Sequence, residues 1–112
     1  MNADMKNEKI RKMYDEYGKE NDFEIHFFEN PSFDNSIVAI TNDGKLIYDY
    51  GKMICEFAQD NDCDPLEAEE FIDYNTMRAL PYFGSDAPII LYGTTENLMM
   101  MYDFDETDEK KQ

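Results

Sequence analysis

Asn42-Asp43-Gly44 stands between two short runs rich in strand formers, residues 36–41 and residues 45–48. Residues that tolerate left-handed backbone, set between two such runs, make the chain double back on itself. The expectation is a β-hairpin, with Gly44 at the left-handed bulge position of its loop.

Helical patterns flank this hairpin. In residues 4–18, Ile10, Met13, Tyr14 and Tyr17 follow the i, i+3, i+4, i+7 spacing of one buried stripe. Asp4 is placed to cap the start and Gly18 to end the helix in the left-handed conformation. A second helix is expected over residues 50–60, capped by Asp49, with Tyr50, Met53, Ile54, Phe57 and Ala58 on one side. Asp64, Pro65 and Glu67 then occupy the cap, first and third positions of a third helix, which Pro81 stops. At 100° per residue this helix puts Ala68, Phe71, Ile72, Asn75 and Ala79 on one face. Leu66, Glu69, Glu70, Asp73 and Met77 fall on the other.

Alternation in residues 23–28 suggests a strand with Phe23, Ile25 and Phe27 on one face and Glu24, His26 and Phe28 on the other. Residues 87–92 read as a further strand, with Pro88 at its start or on an edge. Residues 96–102 fit helix or strand. The order of elements predicts an α+β fold: a small antiparallel sheet of three to four strands, including the hairpin, packed against two to three helices. The second sheet face is expected to carry Phe28, Tyr48 or Tyr92, and to be covered by the first helix or left sticky. Residues 1–102 form one domain in this reading, and residues 103–112 an acidic, frayed tail.

Charge excludes several functions. Among 112 residues, 26 are acidic and 10 basic, a formal net charge of -16. Strong charge alone favours disorder, but eight Tyr and eight Phe supply enough apolar surface to order the chain. Direct nucleic-acid binding requires clustered Lys and Arg, and an anionic membrane surface repels such a chain. Apolar runs are too short to span a bilayer, and no signal-peptide core follows Met1, so the expected location is the cytoplasm. Cys55 and Cys63 lack zinc or redox spacing. Cys55 falls in the apolar helical pattern and is expected to be a buried, inert thiol.

The run Glu70-Phe71-Ile72-Asp73-Tyr74-Asn75-Thr76-Met77-Arg78-Ala79-Leu80-Pro81-Tyr82 is followed by Ala87-Pro88-Ile89-Ile90. With Asn42-Asp43-Gly44-Lys45 and Tyr48-Asp49-Tyr50, it resembles small uncharacterised acidic proteins carried by phages and mobile elements of Gram-positive bacteria. The resemblance spans residues 31–92. It implies a setting inside a bacterial cell, where small acidic proteins are often inhibitors of host nucleases, anti-CRISPR and anti-restriction proteins among them. No activity or site residue comes with it.

The acidity is concentrated after the hairpin: residues 49–80 hold nine acidic and two basic side chains. Asp60, Asp62, Asp64, Glu67, Glu69, Glu70 and Asp73, supported by Asp103, Asp105, Glu106 and Asp108, form the candidate partner-binding set. Such a row can meet Arg and Lys side chains that otherwise hold phosphate. The expected partner is a host protein with a basic nucleic-acid-binding surface, a defence nuclease of the CRISPR-effector kind. The plain alternative is that the acidity serves solubility. Asp60, Asp62 and Asp64 also fall on positions one, three and five of a calcium loop. Pro65 stands where that loop needs Gly and Phe71 where it needs Glu, so no metal or cofactor is expected.

His26 has Glu24 two residues away, but no nucleophile motif accompanies them, and the expected function is non-enzymatic. Asn75 and Arg78 read as structural, Asn75 satisfying backbone and Arg78 pairing with a carboxylate while its stem packs. Leu98, Met99, Met100, Met101, Tyr102 and Phe104 form an apolar strip. It is expected to pack in the core; left outside, it would serve a regulatory or antitoxin-like protein-binding module.

Overall fold

The structure is a computed structural model that describes residues 2–102, with side chains from residue 8 onward. The hairpin forms as its loop chemistry dictates. Strand β1 (Ile37–Ile40) pairs antiparallel with β2 (Leu46–Asp49). Gly44 has φ 91° and donates its N–H to the Thr41 carbonyl. A Cβ there would also lie 2.7 Å from the Phe23 ring, so both conformation and space require glycine. A bulge between Ile37 and Ala39 turns Ile37 and Ile40 toward the same core.

Helix α2 (Tyr50–Asn61) follows β2 directly, its N-terminus capped by Asp49, which accepts the Lys52 N–H at 3.2 Å. Helix α3 (Pro65–Phe71) begins at Asp64, whose carboxylate accepts the Glu67 N–H at 2.9 Å. The chain then widens into a π-helical turn (Ile72–Thr76), resumes as one α turn, α4 (Met77–Ala79), and tightens into 3₁₀ geometry over Leu80–Asp86. It returns as β3 (Ile89–Leu91), beside β2. Pro88 sits just before this edge strand, where no ladder donor is needed.

The fold is α+β, with a three-stranded sheet of order β1-β2-β3. The sheet is mixed rather than wholly antiparallel, because β3 runs parallel to β2. The reason is the helical crossover between them: a connection through α2 and α3 brings the chain back to the sheet end from which β2 began.

The core is built from Phe28, Phe33, Leu46, Tyr48, Met53 and Ile72, each at most 3% exposed. The buried Tyr48 hydroxyl accepts the Phe28 N–H at 3.0 Å, so neither group is orphaned. Phe33 adopts left-handed backbone (φ 55°) and sets its ring against Phe28 and Phe57.

Four expectations need correction. Residues 23–28 join no ladder, and Phe28 is buried in the core with Ile25 and Phe27 packed against it. Helix α1 (Asn2–Glu20) runs past Gly18, and the left-handed residue at its end is Asp22. Gly18 is needed for space, since a Cβ there would lie 2.6 Å from Ile25. Met13 and Tyr17 of the expected buried stripe are exposed. The second sheet face carries Ala39, Ile47, Ile89 and Leu91, because Phe28 and Tyr48 are in the core.

The π turn revises the face of the third helix. One extra residue per turn rotates everything after it by about 100°. Asn75 swings out to solvent, and Thr76 is buried in its place. Met77 and Leu80 then pack against the core. The Asn75 amide donates to the Phe71 carbonyl at 3.0 Å, serving a backbone acceptor within the widened turn.

Candidate functional site

The acidic candidates are placed by the joint between α2 and α3. Asp60 lies in the last turn of α2 and is exposed. Asp62 is the C-cap residue of that helix, with φ 52°, and its N–H bonds the Ala58 carbonyl. Asp64 is the cap of α3, as expected. Glu67 and Glu70 project from α3 into solvent, whereas Glu69 is half-buried. Asp73 is exposed and accepts a hydrogen bond from the Tyr50 hydroxyl. Along the chain the seven run from the end of α2 through α3 into the π turn; Asp62, Asp64 and Glu67 lie near Cys63, and Glu69 and Asp73 lie toward Tyr50. Three are also structural: Asp62 and Asp64 by capping, Asp73 by its bond to Tyr50. Asp103, Asp105, Glu106 and Asp108 lie outside the described residues.

The local electrostatics report this clustering. The Cys63 thiol is pushed up in pKa by loss of solvent and then by Glu67, Asp64 and Asp62. The Tyr50 phenol is raised by burial first, then by its bond to Asp73 and the nearby charge of Glu69. Arg78 stands beside Glu70 and Asp73 at an open surface recess, with its guanidinium 4.4 Å from the centre of the Tyr74 ring. Among the described residues Arg78 makes no ion pair of the kind expected, and its guanidinium stacks on an aromatic face instead. Among the described residues, no three His, Cys, Asp or Glu side chains come together as metal ligands.

A second feature adjoins the first across Tyr50. The Tyr50 and Tyr92 rings lie 4.7 Å apart, and beyond them α2 and helix α5 (Thr95–Tyr102) flank a groove of about 790 Å³. Ile54, Cys55, Tyr92, Met100 and Met101 line it. The methionines expected in the core are on the surface: Met99, Met100 and Met101 are 70%, 74% and 72% exposed. Cys55 is likewise exposed rather than buried, and both thiols are free.

Small local contacts set the position of α5. Thr94 Oγ1 accepts the Asn97 N–H at 3.2 Å, and Asn97 donates its amide to Asp49 Oδ1 at 2.9 Å. Asp49 therefore serves two helices at once. Gly51 permits the approach, since a Cβ there would lie 3.0 Å from the Asn97 amide. Of these, only Asp49 is legible in the sequence, as the cap of α2. Thr94 three residues ahead of Asn97 was the available signal of a helix start.

No protein-family model, curated protein or solved structure matches this chain. Its site is therefore read from its own geometry.

His26 is half-buried, and its Nε2 sits 3.5 Å from an Asp86 carboxylate oxygen. Among the described residues, no helix is long and apolar enough to cross a membrane.

Proposed function

We propose that this chain is a non-enzymatic interaction protein of phage or mobile-element origin, acting in the cytoplasm of a bacterial host. Its acidic α2–α3 flank occupies a basic, nucleic-acid-binding surface of a host defence nuclease, in the manner of a CRISPR-effector inhibitor. The observation that carries this reading is the exposure of Asp60 in the last turn of α2 and of Glu67 and Glu70 in α3, none with an ion pair among the described residues. Carboxylates without internal partners keep their charge for Lys and Arg of another protein. Long-range attraction from a formal charge of -16 raises the encounter rate with such a surface.

The test is capture from host lysate at low and high salt, with the wild-type chain and with Glu67→Lys/Glu70→Lys. Among the described residues these two side chains make no hydrogen bond or ion pair, unlike Asp64 and Asp73. The expected outcome is a nucleic-acid-binding partner, competed by nucleic acid, released by salt and bound about tenfold less by the variant. Salt-insensitive capture that the variant retains in full would overturn the reading.

The exposure of Met99, Met100 and Met101 supports a second reading, a regulatory or antitoxin-like module that binds one protein through its apolar strip. There, Met99→Ser/Met101→Ser abolishes capture, and high salt preserves it.

A further inference from the structure

The groove between α2 and α5 combines apolar walls with an acidic rim. Tyr50, Ile54, Tyr92, Met100 and Met101 supply the apolar surface. Glu56, Asp60 and Glu96 supply carboxylates at the same groove, against a single cation among the described residues, Lys52. Asp73 and Glu69 add negative charge on the Tyr50 side. The Glu56 carboxylate accepts from Ser36 Oγ at 2.7 Å and from the Asn35 N–H at 3.3 Å, which fixes one of these charges in place.

We infer that this groove docks a basic amphipathic helical segment of a partner protein, with apolar side chains against the methionines and Lys or Arg against the rim. The inference rests on the second functional reading and names its partner chemistry. Charge decides among occupants. Nucleic acid, an anionic membrane and a second copy of this chain all carry charge of the same sign as the rim. A purely hydrophilic cation leaves the exposed thioethers in water, whereas an amphipathic helix covers them. Unbranched Met side chains adapt to varied apolar faces. Of the buried polar side chains Asp34, Ser36, Asp49 and Thr76, none lines the groove.

The chain carries its own reporter. Cys55 lines the groove, and Cys63 does not. The probe is a synthetic helical peptide of about four turns, Leu on one face and Lys on the other. Its controls are a scrambled peptide of the same composition and a version with Glu for Lys. At saturation the Lys peptide slows iodoacetamide alkylation of Cys55 relative to Cys63 by about tenfold, and neither control does so. In Met100→Ser/Met101→Ser the protection is lost. In Glu96→Lys, which leaves the apolar wall intact, affinity falls about fivefold.

An unchanged Cys55-to-Cys63 ratio under bound peptide overturns the inference. So does equal protection by the scrambled peptide, or full binding by both variants. The two levels fail separately. If Cys55 stays unprotected but Met99→Ser/Met101→Ser still abolishes partner capture, the strip reading stands and the basic-helix chemistry falls. If Cys55 is protected but capture survives in that variant, the groove stands and the strip reading falls.

Discussion

Arg11 shows how much one side chain can hold. Its guanidinium makes two parallel bonds to Asp34, Nε to Oδ2 at 3.1 Å and Nη2 to Oδ1 at 3.0 Å. It also donates to Glu29 at 2.9 Å and to the Phe28 carbonyl at 3.2 Å, and it lies 4.3 Å from the centre of the Phe27 ring. Arg11 thereby ties α1 to the segment leading into the hairpin. Burial pushes the Asp34 carboxyl up in pKa despite that partner, so desolvation outweighs the pairing there. Replacing Arg11 by Ala strands a buried carboxylate, and the expected loss is about 2–3 kcal/mol near neutral pH, read by urea unfolding. Without Arg11 the folded-state pKa of Asp34 rises further, so protonation relieves the cost and the loss shrinks toward about pH 4. A loss that is constant across that range would show that Asp34 is not the stranded group. By sequence Arg11 is one of five basic residues in or just after the first helical pattern, with nothing to mark it as the tether. Its partners are 18 and 23 residues away, and only folding brings them into reach.

Elements differ in how much of their placement is local. The start of α3 is fully local: Asp64, Pro65 and Glu67 specify a cap, a first residue and a favourable first-turn charge. The hairpin loop is equally local, because Gly44 alone satisfies the left-handed position without strain. The π turn is not. Neither Asn75 nor Thr76 signals which of them faces inward, since a regular helix and a widened one share the same residues and differ only in what packs on them. Helix α5, capped locally by Thr94, depends on a distant anchor, Asp49, which accepts the Asn97 side-chain amide and also caps α2. Asp49→Ala removes a buried acceptor from both helices, and the expected cost is about 2 kcal/mol. Hydrogen exchange locates it: amides of α5 and of the first turn of α2 lose protection before those of α3. Equal loss throughout would show that the two helices are not joined through this side chain.

At the scale of the whole molecule, charge opposes compactness. A chain with formal charge -16 repels itself when folded, and among the described residues two carboxyl groups are raised in pKa within the fold: Asp34 and Glu56, each chiefly by burial. Both bind a proton more readily folded than unfolded. Their contribution to stability is fully present below the unfolded-state pKa and is lost as pH rises through the folded-state value. The expected melting midpoint is therefore higher at about pH 5 than at about pH 7.5, and added salt raises it at the higher pH by screening. A midpoint that falls on acidification would mean that ion pairs such as Arg11–Asp34 dominate over self-repulsion.

The amino-acid order by itself determined the hairpin, the helix starts at Asp49 and Asp64, the α+β class and the acidic corner. Each follows from backbone preference, capping or composition within a few residues. Tertiary structure decided that β3 joins in parallel, that Phe28 is core while Met99, Met100 and Met101 are surface, and that Tyr50 joins the acidic corner to an apolar groove. Those outcomes depend on which distant surfaces exclude water together, and a linear pattern of apolar residues states how much surface must be covered without naming what covers it.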